Sequence, residues 1–214
     1  MKYIQALIVS LFFSFSLFSQ NNEPSVSCER KFYKIGFNFG FGSVDNPVFH
    51  DDDYFYEVQF RKFQLYYKLK SGKFVDFQLL FQPEFNTAKH QLTSDRYIVA
   101  KDHPLYERRE EMKKFKKFHE YIFNFGFQVS KNFSNNEVYL LASIGPGYFE
   151  KTTERMSKGI GFSDNLAIGY SRKIQKYYID TRLGYRHASN AEINEVNDGY
   201  DMLVIDLGIG FYFN

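Results

Sequence analysis

The chain has 214 residues, enough for one domain of moderate size, and its 27 basic and 25 acidic side chains leave a formal net charge of only +2. This near balance gives no argument for nucleic acid as a partner. Aromatic residues make up 20% of the chain, far above the usual share, and tryptophan is absent. Aromatic side chains are favoured in β-strands and at membrane interfaces.

The N-terminus has the pattern of a secretory signal peptide. Lys2 precedes an apolar run from 4 to 18, and the small residue Ser19 is a plausible cleavage point. The run is shorter than the roughly 20 residues that a membrane-spanning helix needs. We therefore expect a signal peptide over 1–19 and a short lead over 20–31, with an uncleaved anchor as the alternative.

From residue 32 onward, apolar and polar residues alternate with the period of two that is typical of β-strands. The segment IGFNFGF at 35–41 shows the pattern clearly. Similar runs predict eight strands in all, near 32–42, 54–69, 73–84, 119–131, 137–150, 160–173, 177–189 and 200–213.

The connections between these runs are alternately short and long. Short turn signals stand at 71–72, 132–136 and 173–176, and longer polar segments at 43–53, 85–118, 151–159 and 190–199. Outer-membrane barrels have short periplasmic turns and long external loops. The sequence therefore predicts an all-β fold, one eight-stranded antiparallel outer-membrane β-barrel over 32–214. Alternation alone leaves open a soluble lipocalin-like barrel, whose apolar face points inward.

The seventh run ends in residue types that can carry chemistry. His187 and Ser189 are two positions apart, so a strand places them on one face, the face that Leu183 occupies with other apolar residues. An imidazole at that spacing can take a proton from a serine hydroxyl. Asp201 opens the eighth run and supplies an acid. Serine, histidine and an acid together are the material of a serine hydrolase, here on the lipid-facing side of the barrel.

The segment RHASNA at 186–191, followed by Asn197-Asp198-Gly199 and the acid at 201, resembles the C-terminal signature of the PagL-type lipid A deacylases. These are outer-membrane esterases that remove an ester-linked acyl chain from lipopolysaccharide. The match is close over about the last 30 residues and architectural elsewhere. Two departures stand out: the best-known members have glutamate where this chain has Asp201, and Val196 replaces a family proline.

The resemblance implies a role for each matching residue. His187 is the expected base, Ser189 the nucleophile and Asp201 the acid that orients the base. Asn190 and Asn197 match positions associated with the oxyanion site, to which the backbone amide after Ser189 is a further candidate contributor. The mechanism implied needs no metal and no organic cofactor.

The densest charge run is RREEMKKFKK at 108–117, inside the longest predicted loop. Its basic residues could neutralise lipid A phosphates, with Arg108, Arg109, Lys113 and Lys114 as candidates. A solvated loop without a ligand is the equally weighted alternative, because charge runs are commonly just solvated.

The resulting hypothesis is an outer-membrane serine esterase of a Gram-negative bacterium, acting on lipid A with its active site facing the outer leaflet. The alternative is a non-enzymatic small barrel that binds a ligand or partner through its external loops. Both share one fold, so the residues at 187, 189 and 201 discriminate between them. The sequence leaves the ester that is cut, the exact lipid and the oligomeric state open.

Overall fold

The computed structural model describes residues 31–46, 48, 52–94, 106–194 and 197–213. The predicted signal peptide and nearly all of the predicted lead lie outside these residues. The elements are β1 (Lys31–Ser43), β2 (Tyr54–Ser71), β3 (Asp76–Leu92), α1 (Tyr106–Lys113), β4 (Lys116–Phe133), β5 (Asn136–Phe149), β6 (Gly159–Ile174), β7 (Tyr177–Ser189) and β8 (Tyr200–Tyr212).

The eight strands close into a barrel in which every strand pairs antiparallel with its sequence neighbours and β8 returns to β1. The closing pair runs without a register shift from Lys34 opposite Tyr212 to Ser43 opposite Leu203. Closure leaves no unpaired strand edge, and this is what allows a β-structure to cross a lipid bilayer. The predicted fold class is confirmed.

The outer wall carries the apolar residues of each alternating strand. Leu207 and Ile209 of β8 are 65% and 66% exposed, and Leu166, Ile168 and other apolar side chains continue the same belt around the barrel. Exposed apolar area on this scale is unfavourable in water and favourable against lipid acyl chains. In the part of the chain that the structure describes, no helix is long and apolar enough to span a membrane.

The inner wall is polar and fills the barrel. Buried ion pairs cross it, at 3.0 Å between Lys34 and Glu137 and 2.9 Å between Lys62 and Asp206. Both partners of each pair are almost fully buried, so each charge is offset by its partner rather than by water. Glu137 also accepts hydrogen bonds from Gln78 and Gln128. The space left near the middle is about 20 Å³, room for about one water molecule, as expected for eight strands.

Short and long connections alternate as predicted, but the predicted loop over 85–118 is wrong at both ends. Strand β3 continues to Leu92, β4 begins at Lys116, and α1 lies between them. The tight turns gather at one end of the barrel, where Ser134 and Gln175 adopt positive φ angles of 55° and 57°. The longer connections gather at the other end, which we call the long-loop rim.

Candidate active site

The end of β7 and the start of β8 form the candidate site at the long-loop rim. Along β7, Leu183 faces outward and is exposed, while Arg182 and Arg186 face inward and are buried. The pairing of β7 with both neighbouring strands has no register shift, so the alternation continues to the strand end. His187 and Ser189 therefore lie on the outward face.

Strand register places Asp201 directly opposite His187. The two side chains meet through Nδ1 of the imidazole and Oδ1 of the carboxylate at 2.8 Å. An ionised carboxylate can only accept hydrogen bonds, so this contact makes Nδ1 the protonated nitrogen of a neutral His187. Tyr185, two positions before His187 on the same face, donates its hydroxyl to the same Oδ1. The carboxylate is thus held by two donors from β7.

The second nitrogen of the imidazole is uncommitted. Within the described residues, Nε2 of His187 is buried and has no hydrogen-bond partner. Ser189 is two positions further along the same face and is only 8% exposed. No hydrogen bond joins the two side chains among the described residues. The arrangement leaves an acceptor nitrogen on the face that carries the serine.

A second carboxylate flanks the imidazole from the opposite strand. Asp164 of β6 pairs directly with His187, so its side chain lies on the same outward face. Its Oδ1 is buried and unpartnered among the described residues. A buried, unsatisfied carboxylate oxygen is uncommon and calls for an explanation. His187 therefore stands between two acids, one on each neighbouring strand.

Gly199 allows the chain to pass close behind the site. Its φ is +70°, a left-handed conformation that side chains disfavour. A Cβ there would lie 2.7 Å from the carbonyl oxygen of Ala188 and 3.0 Å from Cε1 of His187. Any larger residue would strain the backbone and push on the imidazole.

The β5–β6 connection braces the β7–β8 connection through Arg155. Its Nε donates to the carbonyl of Gly199 at 2.6 Å, and its own carbonyl accepts the amides of Asp198 and Gly199 at 2.8 Å and 3.1 Å. Met156 and Asn197 form an isolated β-bridge next to these bonds. The segment that leads into Asp201 is therefore fixed by a neighbouring loop.

The two asparagines from the sequence come together beside Ser189. The backbone amide of Asn190 donates to Oδ1 of Asn197 at 2.7 Å, and Oδ1 of Asn190 accepts the amide of Glu192 at 3.1 Å. The amide that follows Ser189, expected as an oxyanion donor, is thus already used to hold the loop. The expected oxyanion role of Asn190 and Asn197 stays a prediction.

The inner wall anchors the same strand. Arg186 is fully buried and donates to Glu120 at 2.9 Å and to Ser163 at 3.0 Å. Since Arg186 adjoins His187 in the chain and points the other way, these bonds fix β7 from inside. The outward site is supported by a rigid strand rather than by a loop.

The basic run of the sequence lies on α1 and the start of β4. The side chains of Arg108 and Arg109 lie outside the described residues. Lys113 pairs with Glu110 at 3.6 Å, and Lys114 pairs with Glu111 at 2.7 Å, each three positions apart. Phosphate binding by these four residues stays a prediction.

Sequence reasoning missed Tyr185, Asp164 and Arg155. The period of two could have found Tyr185, because it precedes His187 by two positions on the same face. The position of Asp164 depends on the pairing of β6 with β7, and that of Arg155 depends on the packing of two loops. No local sequence pattern indicates either arrangement.

The closed barrel and its apolar outer belt define the class, a small outer-membrane β-barrel, in this case with a histidine between two acids on its outer wall. The family model for lipid A 3-O-deacylase (PagL) matches residues 62–210, more than half of the chain. The chain belongs to this family. Membership supports a hydrolase activity and a location in the outer membrane.

Solved structures resemble the chain at low sequence identity. The outer membrane enzyme PagL is 10% identical with a TM-score of 0.49, and the match covers 82% of this chain and 97% of that one. Ail, the attachment invasion locus protein of Yersinia pestis, is 14% identical with a TM-score of 0.39, over 86% and 98%. Neisserial surface protein A is 10% identical with a TM-score of 0.40, over 85% and 96%. No curated protein sequence matches. Family membership therefore rests on the family match.

Proposed function

We propose that this protein is an outer-membrane serine esterase that hydrolyses an ester-linked acyl chain of lipid A. The observation that carries the proposal is the contact of His187 with Asp201, which leaves Nε2 free on the face that holds Ser189. The description of the family specifies the 3-O position, and we take that ester as the bond that is cut.

In the first half of the reaction, Oγ of Ser189 attacks the ester carbonyl while Nε2 of His187 takes the hydroxyl proton. Asp201 stabilises the imidazolium through Nδ1, and Tyr185 keeps that carboxylate in place. Asp164 adds a second negative charge beside the imidazolium. When the tetrahedral intermediate collapses, the proton passes from Nε2 to the leaving sugar oxygen, and the acyl group stays on Ser189.

In the second half, water attacks the acyl-serine and gives its proton to Nε2 of His187. Collapse of the second intermediate returns the proton to Oγ of Ser189 and releases the fatty acid. The oxyanion of both intermediates needs donors close to the carbonyl oxygen. We assign this role to the side-chain amide of Asn190 or of Asn197. Every step uses groups of the protein and water.

The position of the site fits a substrate that lies in a membrane. A soluble substrate would favour a cleft open to water, whereas these residues stand on the outer wall beside an apolar belt, where acyl chains pack. We propose that the long-loop rim faces outward, so that the site meets the outer leaflet of a Gram-negative outer membrane. Export would depend on a signal peptide over 1–19, ahead of a lead over 20–31 and the barrel over 32–214.

The test is mass spectrometry of lipid A from cells that express the wild-type protein, the Ser189→Ala variant or neither. We expect wild-type cells alone to contain lipid A that has lost one fatty acid. Ser189→Ala should remain folded, as shown by its heat-modifiable mobility in gels. Equal deacylation by the folded variant would remove the serine mechanism and favour the non-enzymatic binding barrel as the function of this chain.

A further inference from the structure

A basic cleft opens at the long-loop rim, apart from the candidate active site. It has a volume of about 410 Å³ and lies between the start of β4 and the β5–β6 connection. Four lysines line it, together with Phe115 and Thr152; they are Lys114, Lys116, Lys151 and Lys158. The mechanism above uses none of them.

Lys116 is the most unusual of the four. It is 8% exposed, and its ammonium donates to the carbonyl of Thr152 at 3.1 Å and contacts the sulfur of Met112 at 3.1 Å. Both partners are neutral, and no ion pair of Lys116 exists among the described residues. Burial lowers the pKa of Lys116, and the nearby carboxylates of Glu111 and Glu154 only partly offset this effect. A further anion in the cleft would therefore stabilise the charged ammonium.

The acidic residues of the cleft are already committed. Glu111 accepts from Lys114 at 2.7 Å, and Glu150 accepts the amide of His119 at 3.0 Å and the hydroxyl of Tyr121 at 3.1 Å. The Lys114 hydrogen bond lowers the pKa of Glu111, and the His119 amide lowers the pKa of Glu150, so both carboxylates stay ionised at neutral pH.

Positive charge nevertheless exceeds negative charge in the cleft, with four lysines facing two acids. Lys151 and Lys158 are exposed, and in the described part of the chain neither forms an ion pair. Lysine ammoniums are compact point charges that suit phosphate groups.

The cleft is mechanically connected to the candidate active site. The β5–β6 connection carries Lys151 and Lys158 into the cleft, and the same connection carries Arg155 to Gly199 beside the site. Ser189 is on β7, whereas the cleft lies above β4, β5 and the start of β6. With neighbouring strands about 4.8 Å apart, the two places are on the order of 10–15 Å apart. One or two sugar rings of a lipid could span this distance.

We infer that this cleft binds a phosphate monoester on the sugar backbone of the lipid whose acyl ester meets Ser189. The inference rests on the proposed function and adds a second point of attachment to it. Binding at two points would set which acyl chain of the lipid reaches the serine, since the sugar backbone between them is rigid. The cleft adds Lys116, Lys151 and Lys158 to the phosphate-binding candidates from the sequence, of which Lys114 lines it.

The test uses the double variant Lys151→Gln/Lys158→Gln, which changes two exposed side chains and leaves the barrel intact. Lys173→Gln/Lys176→Gln is the control, because it removes the same charge from exposed positions at the opposite end of the barrel. Deacylation is measured in detergent with bisphosphorylated lipid A and with the same lipid after enzymatic dephosphorylation. We expect KM for the phosphorylated lipid to rise about tenfold in the cleft variant, equivalent to about 1.4 kcal/mol.

With the dephosphorylated lipid, we expect the cleft variant and the control to match the wild type, with kcat unchanged throughout. An unchanged KM of the cleft variant for the phosphorylated lipid would overturn the inference. An equal rise in KM for both lipids would overturn it too, because the effect of the lysines would then be independent of the phosphate.

Binding to the Ser189→Ala protein separates this inference from the proposed function. Vesicles that contain phosphorylated lipid A should bind this protein more tightly than vesicles with the dephosphorylated lipid, and the cleft substitutions should abolish the difference. That result would support the cleft even if the wild type cuts neither lipid, a failure that belongs to the proposed function alone. If inorganic phosphate saturates the cleft while the two kinds of vesicle bind equally, the site takes free phosphate and the assignment to the lipid is wrong.

Discussion

Removing only the hydroxyl of Tyr185 tests how the acid of the candidate triad is held. Asp201 is one methylene shorter than the glutamate of the best-known family members. In this chain, its Oδ1 receives both the His187 imidazole and the Tyr185 hydroxyl. The variant Tyr185→Phe keeps the ring and its packing but deletes one of the two donors. The carboxylate is then free to turn away from the histidine.

The expected loss follows from the exposure of the carboxylate. A hydrogen bond to a charged group contributes about 1.5–3 kcal/mol. The side chain of Asp201 is 46% exposed, so water replaces part of the lost bond and the lower end of that range applies. A loss of about 1.4 kcal/mol corresponds to about a tenfold fall in kcat. KM should change little, because the hydroxyl is committed to Asp201 rather than to the lipid.

The assay is release of fatty acid from purified lipid A in detergent, with each variant shown to be folded by its heat-modifiable mobility. Tyr177→Phe is the matched control, since Tyr177 is exposed on the same face of β7 at the opposite end of the strand. The double variant Tyr185→Phe/Asp201→Glu should recover part of the activity, because the longer acid reaches the imidazole unaided. A Tyr185→Phe enzyme within twofold of the wild type would refute the reasoning.

Two further substitutions address the surroundings of His187. Asp164→Asn removes the second negative charge beside the imidazolium while keeping the shape, and we expect kcat to fall by about tenfold and the pH at half-maximal activity to drop, because the charged histidine is less stabilised. A pH profile identical to that of the wild type would show that Asp164 has no such role. Gly199→Ala forces a Cβ against the carbonyl of Ala188, and we expect a folded barrel with at least a tenfold lower kcat. Activity equal to that of the wild type would mean that this loop does not position the histidine.

Much of the barrel could be predicted because lipid imposes a simple pattern. Where a strand crosses the bilayer, outward residues are apolar and inward residues are polar, so the period of two is strong. The prediction of a loop over 85–118 failed for a related reason. Beyond Phe85 the outward positions of β3 become Thr87, Lys89 and Gln91, while inward positions stay buried. Where the outward positions no longer face lipid, they need not be apolar, so the alternation disappears although the strand continues.

In the candidate site, too, the features that depend on local sequence could be predicted and those that depend on strand pairing could not. Spacing alone placed His187 and Ser189 on one face, because strand alternation is local. The direct pairing of His187 with Asp201, and with Asp164 on the other side, depends on the register of two strand pairs. Register is set by the whole sheet and by turn geometry. The sequence therefore indicated Asp201 as the acid of the site but gave no sign of Asp164.

The most direct measurement of the central claim is covalent labelling of the folded protein with a fluorophosphonate, which loses fluoride to an activated serine oxygen. Peptide mass spectrometry should find the phosphonyl group on Ser189 in the wild type. It should be lost in Ser189→Ala and strongly reduced in His187→Ala, because a serine hydroxyl is a weak nucleophile without its base. Labelling of a different serine, or no labelling of a wild-type protein that deacylates lipid A, would contradict the assignment of Ser189 as the nucleophile.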